Sequence, residues 1–414
     1  MTKRIALSTL AVVLAAASAE GSAYRIPEQS VDSTATSGAH VAYTPGADAA
    51  YFNPANMSWR DDKGAVEVDL IYINLPGIEY TDRRSTAYNG ESEVENFFLP
   101  TFFAVSPNYN NFRVGVSLTF PAGLAKQWQD AYPRTYAEEF RLTVAELNPT
   151  LSYKINDYVS LAGGVRALYS EAKVRSQGLI SQSYGGVSAS RAMEGDTSEF
   201  GYNLALSVRP NKDINLSATY RSAVDLDLEG DANLWTSASF AGPSSYNGTG
   251  AVTVPVPAVL ALAASYTFDR FTVELEYDKT YWSDYEYLDF SYPASLRNLF
   301  LIAAFDDPKA KHWSDTDSWR LGLTYRLNSA LTLMAGIALD ENPIPDETLG
   351  FDLPDSDALL LSFGVRYRLR ENMEVGAAYL YDSKEDRSVT NSMVNGEFSG
   401  ASAHLFTMGF SYRF

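Results

Sequence analysis

The chain has 414 residues, no cysteine and a formal net charge of −19, with 51 acidic against 32 basic residues. The missing cysteines exclude disulfides, thiolate metal ligands and a cysteine nucleophile. The acidic balance argues against a nucleic-acid partner, because phosphate binding needs clustered Lys and Arg.

Residues 1–19 have the pattern of a secretory signal peptide. Lys3 and Arg4 precede an apolar run from about Ile5 to Ala17, and an A-x-A cleavage site ends at Ala19. The run is too short to span a membrane, and no uncharged apolar stretch of about 18 residues follows, so no transmembrane helix is predicted. An exported, cysteine-free chain with abundant Tyr and Phe indicates the bacterial outer membrane.

Residues 20–63 differ from everything that follows them. The stretch Tyr24–Trp59 is rich in Ser, Thr and Ala, is interrupted by glycine and proline, and has no extended period-2 or period-3.6 apolar pattern. It is therefore predicted to form neither a long strand nor an ordinary amphipathic helix. A compact, small-residue segment ahead of many strands predicts a plug, or hatch, inside a closed sheet.

Residues 64–414 form blocks of roughly ten residues in which apolar side chains alternate with polar or small ones. This alternation lets one face of a strand meet lipid while the other face meets a lumen. Fourteen strands are predicted, beginning near residues 66, 97, 112, 147, 161, 200, 214, 258, 271, 319, 331, 359, 373 and 406.

The connections between these strands support the count. Short polar turns alternate with long acidic or Gly-rich connections at 76–96, 121–142, 174–197, 229–254, 286–317, 341–356 and 385–400. All the long connections fall on one side, as expected if short turns face the periplasm and long loops face outside. Because lipid offers no partner to an open sheet edge, the sheet must close. We predict an all-β, 14-stranded antiparallel transmembrane β-barrel, with a soluble all-β protein as the alternative.

The lumen of such a barrel is too wide for side chains to fill, so it is a channel or holds a plug. Strand parity points many charged side chains inward, and most of them should pair with one another or with the plug. An inward Arg left beside an apolar pocket could bind a ligand carboxylate bidentately. Arg166, in the middle of a strand, is the candidate.

Two of the long connections are unusually apolar, and this predicts a site that captures a hydrophobic ligand. The candidate residues are Trp235, Phe240, Leu296, Leu299 and Phe300. The last three fit helical spacing. Packing of these loops on one another as a lid is the alternative interpretation.

No catalytic, metal or cofactor site is predicted. The three His, at 40, 312 and 404, have no second His or acidic residue at metal-ligand spacing, and there is no G-x-S-x-G or phosphate-binding Gly loop. Asp225 and Asp227 share a strand face, but paired acids at the rim of an acidic barrel are ordinary. A membrane hydrolase assembled from separate strands stays open as an alternative.

Several short motifs occur in order along the mature chain: Tyr24–Ser30, Gly46–Ala50, Tyr51–Met57, Phe120–Leu124, Asn148–Lys154, Tyr220–Ser222, Trp282–Ser283 and Leu353–Asp357. In these motifs the chain resembles FadL-type outer-membrane transporters of long-chain fatty acids and related hydrophobic compounds. The Asn-Pro-Ala tripeptide at 53–55 is specific because it ends the plug ahead of fourteen strands. Tyr24-Arg25 and Val31–Thr36 depart from the family pattern and leave the substrate open among fatty acids, hydrocarbons and other lipids.

The resemblance implies a route for a hydrophobic molecule. The ligand is captured on the outer loops, passes to a lumenal pocket beside the plug, and leaves sideways through the wall into the bilayer. Asn53, Pro54 and Ala55 would form the gate element. Pro100 and Pro121, which remove hydrogen-bond donors from their strands, are the candidates for the wall opening.

The remaining expectations concern partners. We expect a monomer in the outer membrane whose C-terminal strand, ending in Phe414, is recognised by the barrel-assembly machinery. A general diffusion porin with an open polar lumen is the alternative function.

Overall fold

Fourteen antiparallel strands close into one barrel in the computed structural model, which describes residues 23–183 and 186–414; the predicted signal peptide lies outside the described residues. The strands are β1 Ala65–Leu75, β2 Glu95–Val105, β3 Phe112–Gln127, β4 Glu139–Lys154, β5 Val159–Ser181, β6 Val187–Asn211, β7 Ile214–Arg221, β8 Ala258–Phe268, β9 Phe271–Tyr281, β10 Thr316–Arg326, β11 Leu331–Asp340, β12 Ala358–Arg370, β13 Met373–Lys384 and β14 Ser402–Arg413. Each strand pairs with the next, and β14 pairs with β1, which closes the barrel.

The two faces of β1 show why this barrel belongs in a membrane. Val68 and Leu70 leave 51% and 47% of their surface exposed, whereas the intervening Glu67 and Asp69 are buried. A soluble protein would bury the apolar side chains and expose the carboxylates. An apolar exterior around a polar interior is the pattern of an outer-membrane barrel, so the predicted fold class is confirmed and the soluble alternative is wrong.

The N-terminal segment, residues 23–63, lies in the lumen. Its hydrogen bonds reach inward-facing side chains on strands spaced around the barrel: Thr34 to Thr407 on β14, Ser37 to Ser362 on β12, His40 to Glu276 on β9, and Ala55 to Ser160 on β5. The segment contains only short helices in its described part: α1 Val31–Ala35, α2 Ala49–Phe52 and a 3-10 helix at Pro54–Trp59.

Small residues let the N-terminal segment approach the wall closely. A Cβ added to Gly336 on β11 would lie 2.1 Å from the backbone carbonyl carbon of Thr36. A Cβ added to Gly364 on β12 would lie 2.5 Å from the Cβ of Ala35. The segment and this part of the wall are therefore shaped to each other.

The extracellular end contains more regular structure than predicted. The connection expected at 174–197 is the continuation of β5 and β6 as a hairpin, and the one expected at 229–254 is mostly a hairpin of strands Val224–Thr236 and Ser245–Val256. The first strand of this second hairpin pairs with β6. Its first strand does alternate, with Leu226, Leu228 and Leu234 buried between exposed polar residues, but this apolar face packs on the core beneath the outer connections instead of on lipid.

The other long connections also carry small elements. Short strands at Glu79–Asp82, Gly90–Glu91, Arg387–Thr390 and Asn395–Ser399 form a four-stranded sheet, and further short strands are Tyr287–Leu288, Phe290–Ser291 and Lys309–Ala310. The helices are α3 Ala131–Ala137, α4 Leu299–Leu301 with a π-helix at Ile302–Asp306, and 3-10 turns at Thr86–Tyr88 and Ser239–Ala241. No helix in the described part of the chain has both the length and the apolar character to cross a membrane.

Candidate functional site

An apolar cavity of 210 Å³ lies between the N-terminal segment and the barrel wall. Its lining is mostly aliphatic and includes Ile26, Ile73, Leu99, Leu142, Leu360 and Leu380. A concave apolar surface with a few polar groups is the usual form of a small-molecule site. We call it the main cavity.

The charged side chains of the main cavity differ in how far they are neutralised. Lys384 Nζ lies 2.6 Å from Asp355 Oδ1 and 3.8 Å from Asp382 Oδ2. Lys126 is buried, and its ammonium donates to the Ser92 hydroxyl at 3.3 Å. No carboxylate among the described residues forms a salt bridge with Lys126, so its charge is available to a ligand.

The barrel wall is incompletely paired beside the main cavity. β2 and β3 pair only between Phe102–Val105 and Gly115–Leu118. Towards the outside, β2 still pairs with β1 and β3 still pairs with β4, but these two edges do not pair with each other. The unpaired part of β2 contains Pro100, and the register of β3 against β4 shifts at Phe120 and Pro121.

The N-terminal segment supplies hydrogen-bond partners at this kink in β3. The amide of Ile26 donates to the carbonyl of Pro121 at 2.9 Å, and the amide of Gly123 donates to the carbonyl of Tyr24 at 2.9 Å. The Gln29 side chain bonds both the amide and the carbonyl of Phe120, at 2.8 and 3.0 Å. The stretch Tyr24–Gln29 therefore takes the place of β2 as a partner of β3, and it also contributes to the lining of the main cavity.

Arg320 on β10 joins this part of the segment to the opposite wall. Its Nη2 lies 2.6 Å from Asp340 Oδ1, its Nε lies 3.3 Å from Asp278 Oδ2, and its Nη1 donates to the carbonyl of Ser37 at 2.9 Å. Glu28 Oε1 lies 3.8 Å from Nη1 of Arg320. Because all these groups are buried, the guanidinium satisfies charges on two strands and on the segment at once.

Arg166 is buried and inward-facing, as parity predicts, but it lies outside the main cavity lining. Its Nε is 2.9 Å from Glu146, and its Nη1 donates to the carbonyl of Ser222 at 2.5 Å. Arg221 pairs with the same carboxylate. The carboxylate-binding role of Arg166 stays a prediction, and its complete pairing does not favour that role.

Asn53, Pro54 and Ala55 also lie outside the main cavity lining. Asn53 caps the 3-10 helix that begins at Pro54: its Oδ1 accepts from the amide of Ala55 at 3.1 Å, and its Nδ2 donates to the carbonyl of Val41 at 2.8 Å. Ala55 in turn accepts from Ser160 on β5. These contacts are those of a structural cap, and the gating role stays a prediction.

The predicted capture residues divide into two groups. The rings of Phe240 and Phe300 are 5.8 Å apart, and Leu299 and Trp235 are strongly exposed. Leu296 is buried in the apolar core beneath the long connections, so its expected place on an exposed surface is wrong. Leu296 also lies outside the helix, which begins at Leu299, so the predicted helical spacing does not hold for it.

Lys126 was missed because of the register shift in β3. Before the shift Ser117 and Thr119 face inward, so odd-numbered residues define the lumenal face. After it Ala122, Leu124 and Lys126 line the cavity, so the even-numbered residues have joined that face. A bulge inverts side-chain parity, and Pro121 is the signal in the sequence that could have indicated it.

A lipid-facing barrel whose lumen holds its own N-terminal segment and an apolar cavity defines an outer-membrane protein of the transport class. A family model described as outer membrane protein transport protein (OMPP1/FadL/TodX) matches residues 12–414. The chain belongs to this family, and it is an outer-membrane protein.

Known relatives agree with that assignment. A long-chain fatty acid transport protein of Escherichia coli O6:H1 is 26% identical, covering 87% of each chain. Outer membrane protein P1 of Haemophilus influenzae is 25% identical, covering 99% of this chain and 98% of its own. The crystal structure of a Pseudomonas aeruginosa FadL homologue matches with a TM-score of 0.81 at 19% identity, covering 94% and 99% of the two chains. The crystal structure of the P. putida toluene transporter TodX matches with a TM-score of 0.72 at 18% identity, and the match covers 93% of this chain and 98% of that one.

Arg320→Met should strongly destabilise the packing of the N-terminal segment in the barrel. It removes the guanidinium that lies 2.6 Å from Asp340 and 3.3 Å from Asp278, and leaves Asp278 only the 3.7 Å ion pair with Arg25. Removal of one partner from a buried ion pair typically costs about 3–5 kcal/mol. Urea unfolding in lipid vesicles would measure the loss. Arg326→Met, on the same face of β10 but exposed at the periplasmic end, is the matched control. Equal effects of the two substitutions would contradict the central role of Arg320.

Proposed function

We propose that the protein is a passive uptake channel for hydrophobic molecules with an alkyl chain, with long-chain fatty acids as the leading substrate class. The observation that carries the proposal is the aliphatic main cavity bordered by the unpaired edges of β2 and β3. The names of the relatives, a fatty acid transport protein and a toluene transporter, support a hydrophobic substrate. The aliphatic lining favours an alkyl chain over an aromatic ring.

The proposed route begins at the exposed apolar side chains of the outer connections, around Phe240 and Phe300. A smaller apolar cavity of 50 Å³, lined in part by Tyr24 and Trp313, shares Leu124, Leu142 and Leu353 with the main cavity. The smaller cavity therefore adjoins the main cavity and extends the apolar surface towards the outer connections.

The proposed exit is sideways, between β2 and β3 where Pro100 and Pro121 lie. Burial of an alkyl chain is worth about 0.8 kcal/mol per CH₂, so the chain gains by entering the bilayer and would lose by entering periplasmic water. The lumen on the periplasmic side of the cavity also contains many buried charges of the N-terminal segment and the wall. Displacement of the stretch Tyr24–Gln29 would free the opening, and the segment thus acts as the plug.

The N-terminal segment in the lumen does not support the general diffusion porin as an alternative, because a porin needs an open polar channel. The membrane hydrolase has no observation in its favour among the described residues. A monomeric state, and recognition of the C-terminal strand ending in Phe414 by the barrel-assembly machinery, stay predictions.

Uptake of a labelled long-chain fatty acid by cells with and without the protein tests the proposed function. We expect faster uptake in cells that contain it, and low steady ion conductance for the purified protein in planar bilayers. Equal uptake together with a large steady conductance would replace the proposal with a porin.

Lys126→Met should weaken fatty acid binding roughly tenfold or more, because a buried charge-assisted hydrogen bond to the ligand carboxylate is lost. Binding of a long-chain alcohol, which has no charge, should change little. Lys173→Met removes a lysine that lies outside the main cavity lining and serves as the control. A loss that is the same for the acid and the alcohol would show that Lys126 only shapes the cavity.

Fatty acid binding should also weaken as the pH rises through about 7. Burial raises the pKa of the Glu28 carboxyl to about 7; Arg320 opposes the rise, while Asp340 and Asp382 add to it. Glu28 is therefore neutral below pH 7 and becomes an anion in the cavity above it, where it repels a ligand carboxylate.

Titrations of wild type and Glu28→Gln between pH 6 and 8 measure this effect. The variant keeps every other charged residue that lines the cavity, so only the contribution of Glu28 differs between the two proteins; these residues are Arg25, Lys126, Asp340, Asp355, Asp382 and Lys384. A pH step that persists unchanged in Glu28→Gln would assign it to another group.

A further inference from the structure

A second group of buried charges lies where the N-terminal segment meets β1. It contains Asp32 and Asp48 from the segment and Glu67 and Asp69 from β1, each no more than 6% exposed. Neither the main cavity nor the wall opening uses these residues.

Two cations pair with the four carboxylates among the described residues, and a third, Arg60, lies beside them and donates to the carbonyls of Pro45 and Gly46. Arg366 on β12 donates from Nε to Asp32 and from Nη2 to Glu67. His40 Nε2 lies 2.8 Å from Asp48 Oδ2, which also accepts from the Ser30 hydroxyl at 2.7 Å. Even with His40 protonated, the group carries more negative than positive charge.

The carboxylate oxygens that remain have no hydrogen-bond donor in the described part of the chain. They are Asp48 Oδ1, Glu67 Oε2 and both oxygens of Asp69. A buried carboxylate oxygen without a partner is costly, and native proteins usually satisfy such atoms with a donor, water or an ion. The orphaned oxygens of Asp48 and Glu67, with the unpaired Asp69 further along β1, therefore point to a missing positive ligand.

Two of these oxygens converge on one small space. A Cβ added to Gly46 would lie 2.5 Å from Asp48 Oδ1 and 3.1 Å from Glu67 Oε2. Donor atoms of Asp32, His40 and Asp48 also lie within 4.8 Å of one another. The absence of a side chain at Gly46 leaves both orphaned oxygens facing the same point.

The space can be reached from water. A polar cavity of 430 Å³ is lined by Asp32, His40, Gly46 and Glu67, and also by the turn at 328–330 that joins β10 to β11. Short turns lie on the periplasmic side of an outer-membrane barrel. A hydrated ion could therefore enter from the periplasm through this vestibule without crossing the main cavity.

We propose that Asp48 and Glu67, with Asp32 beside them, bind one hard divalent cation such as Ca²⁺, Mg²⁺ or Mn²⁺. Carboxylate oxygens are the preferred ligands of these ions, and a double positive charge offsets the excess of carboxylates, to which Asp69 adds. Since Asp48 belongs to the N-terminal segment and Glu67 belongs to β1, the cation fastens the segment to the wall. His40 holds the other oxygen of Asp48 and so positions that carboxylate.

Titration of the purified full-length protein with Mn²⁺, followed by electron paramagnetic resonance, tests the proposal. We expect one Mn²⁺ bound per chain and displaced by Ca²⁺ or Mg²⁺. Asp48→Asn and Glu67→Gln should each weaken binding at least about tenfold. Bound Mn²⁺ should also slow the cleavage of the segment by trypsin at Arg60, a readout independent of transport.

Gly46→Ala is the sharpest variant, because it keeps every carboxylate and fills the space between Asp48 and Glu67. It should lose Mn²⁺ binding as the acid variants do. Glu374→Gln is the matched control: this carboxylate lines the same vestibule but is already paired with Arg368 and Arg413, at 2.9 and 3.3 Å. Its removal should leave the affinity unchanged.

The absence of stoichiometric Mn²⁺ binding by the wild type would overturn the proposal, and would mean that the carboxylates share protons instead. Binding that Gly46→Ala and Asp48→Asn leave intact would also overturn it, by placing the ion on the acidic outer loops. Heat-modifiable migration on SDS gels verifies that each variant forms a barrel. If the acid variants do not fold, Gly46→Ala and the wild-type stoichiometry still decide.

Discussion

The need to pair every backbone amide and carbonyl that faces lipid governs this structure. It requires the fourteen strands to close, and it makes any separation of neighbouring strands costly. β2 and β3 nevertheless separate towards the outside, where Pro121 removes one donor and the register of β3 shifts. The stretch Tyr24–Gln29 offsets that cost, because from inside the lumen it forms hydrogen bonds with the edge of β3 that β2 leaves unpaired. The opening and the segment that covers it are thus one arrangement.

Charge inside the lumen follows from the same segment. Inward strand positions carry acids and bases that lipid would not tolerate, and burial makes each of them depend on a partner. Arg320 serves carboxylates on β9 and β11 together with the backbone of the segment, and Arg366 joins a carboxylate of the segment to one on β1. The segment is held by these pairs on one side and borders the mostly aliphatic main cavity on the other, whose lining also includes Glu28 and Lys126.

Much of the fold could be predicted because the relevant signals are local. Period-2 alternation in β1, with Val68 and Leu70 outward, follows from the pleat and holds wherever one face meets lipid. The same alternation is present in Val224–Thr236, where Leu226 and Leu228 are buried, but there the apolar face packs on the core beneath the outer connections, so alternation alone did not separate this strand from a loop outside the membrane. Leu296 shows a related limit: its spacing with Leu299 indicated a helix, but the helix begins at Leu299 and packing buries Leu296 outside it.

The sequence by itself determined the barrel, the strand number, the N-terminal segment that lacks a regular apolar pattern, and the resemblance to the family. Each of these depends on residues near one another in the chain. Tertiary structure alone decided the sites. Lys126 enters the main cavity because a bulge inverts the parity of β3, whereas Arg166 lies outside that cavity and pairs with Glu146 and the carbonyl of Ser222. Likewise, Gly46, Asp48 and Glu67 have no motif spacing; they share one space because the barrel closes around the segment that carries two of them.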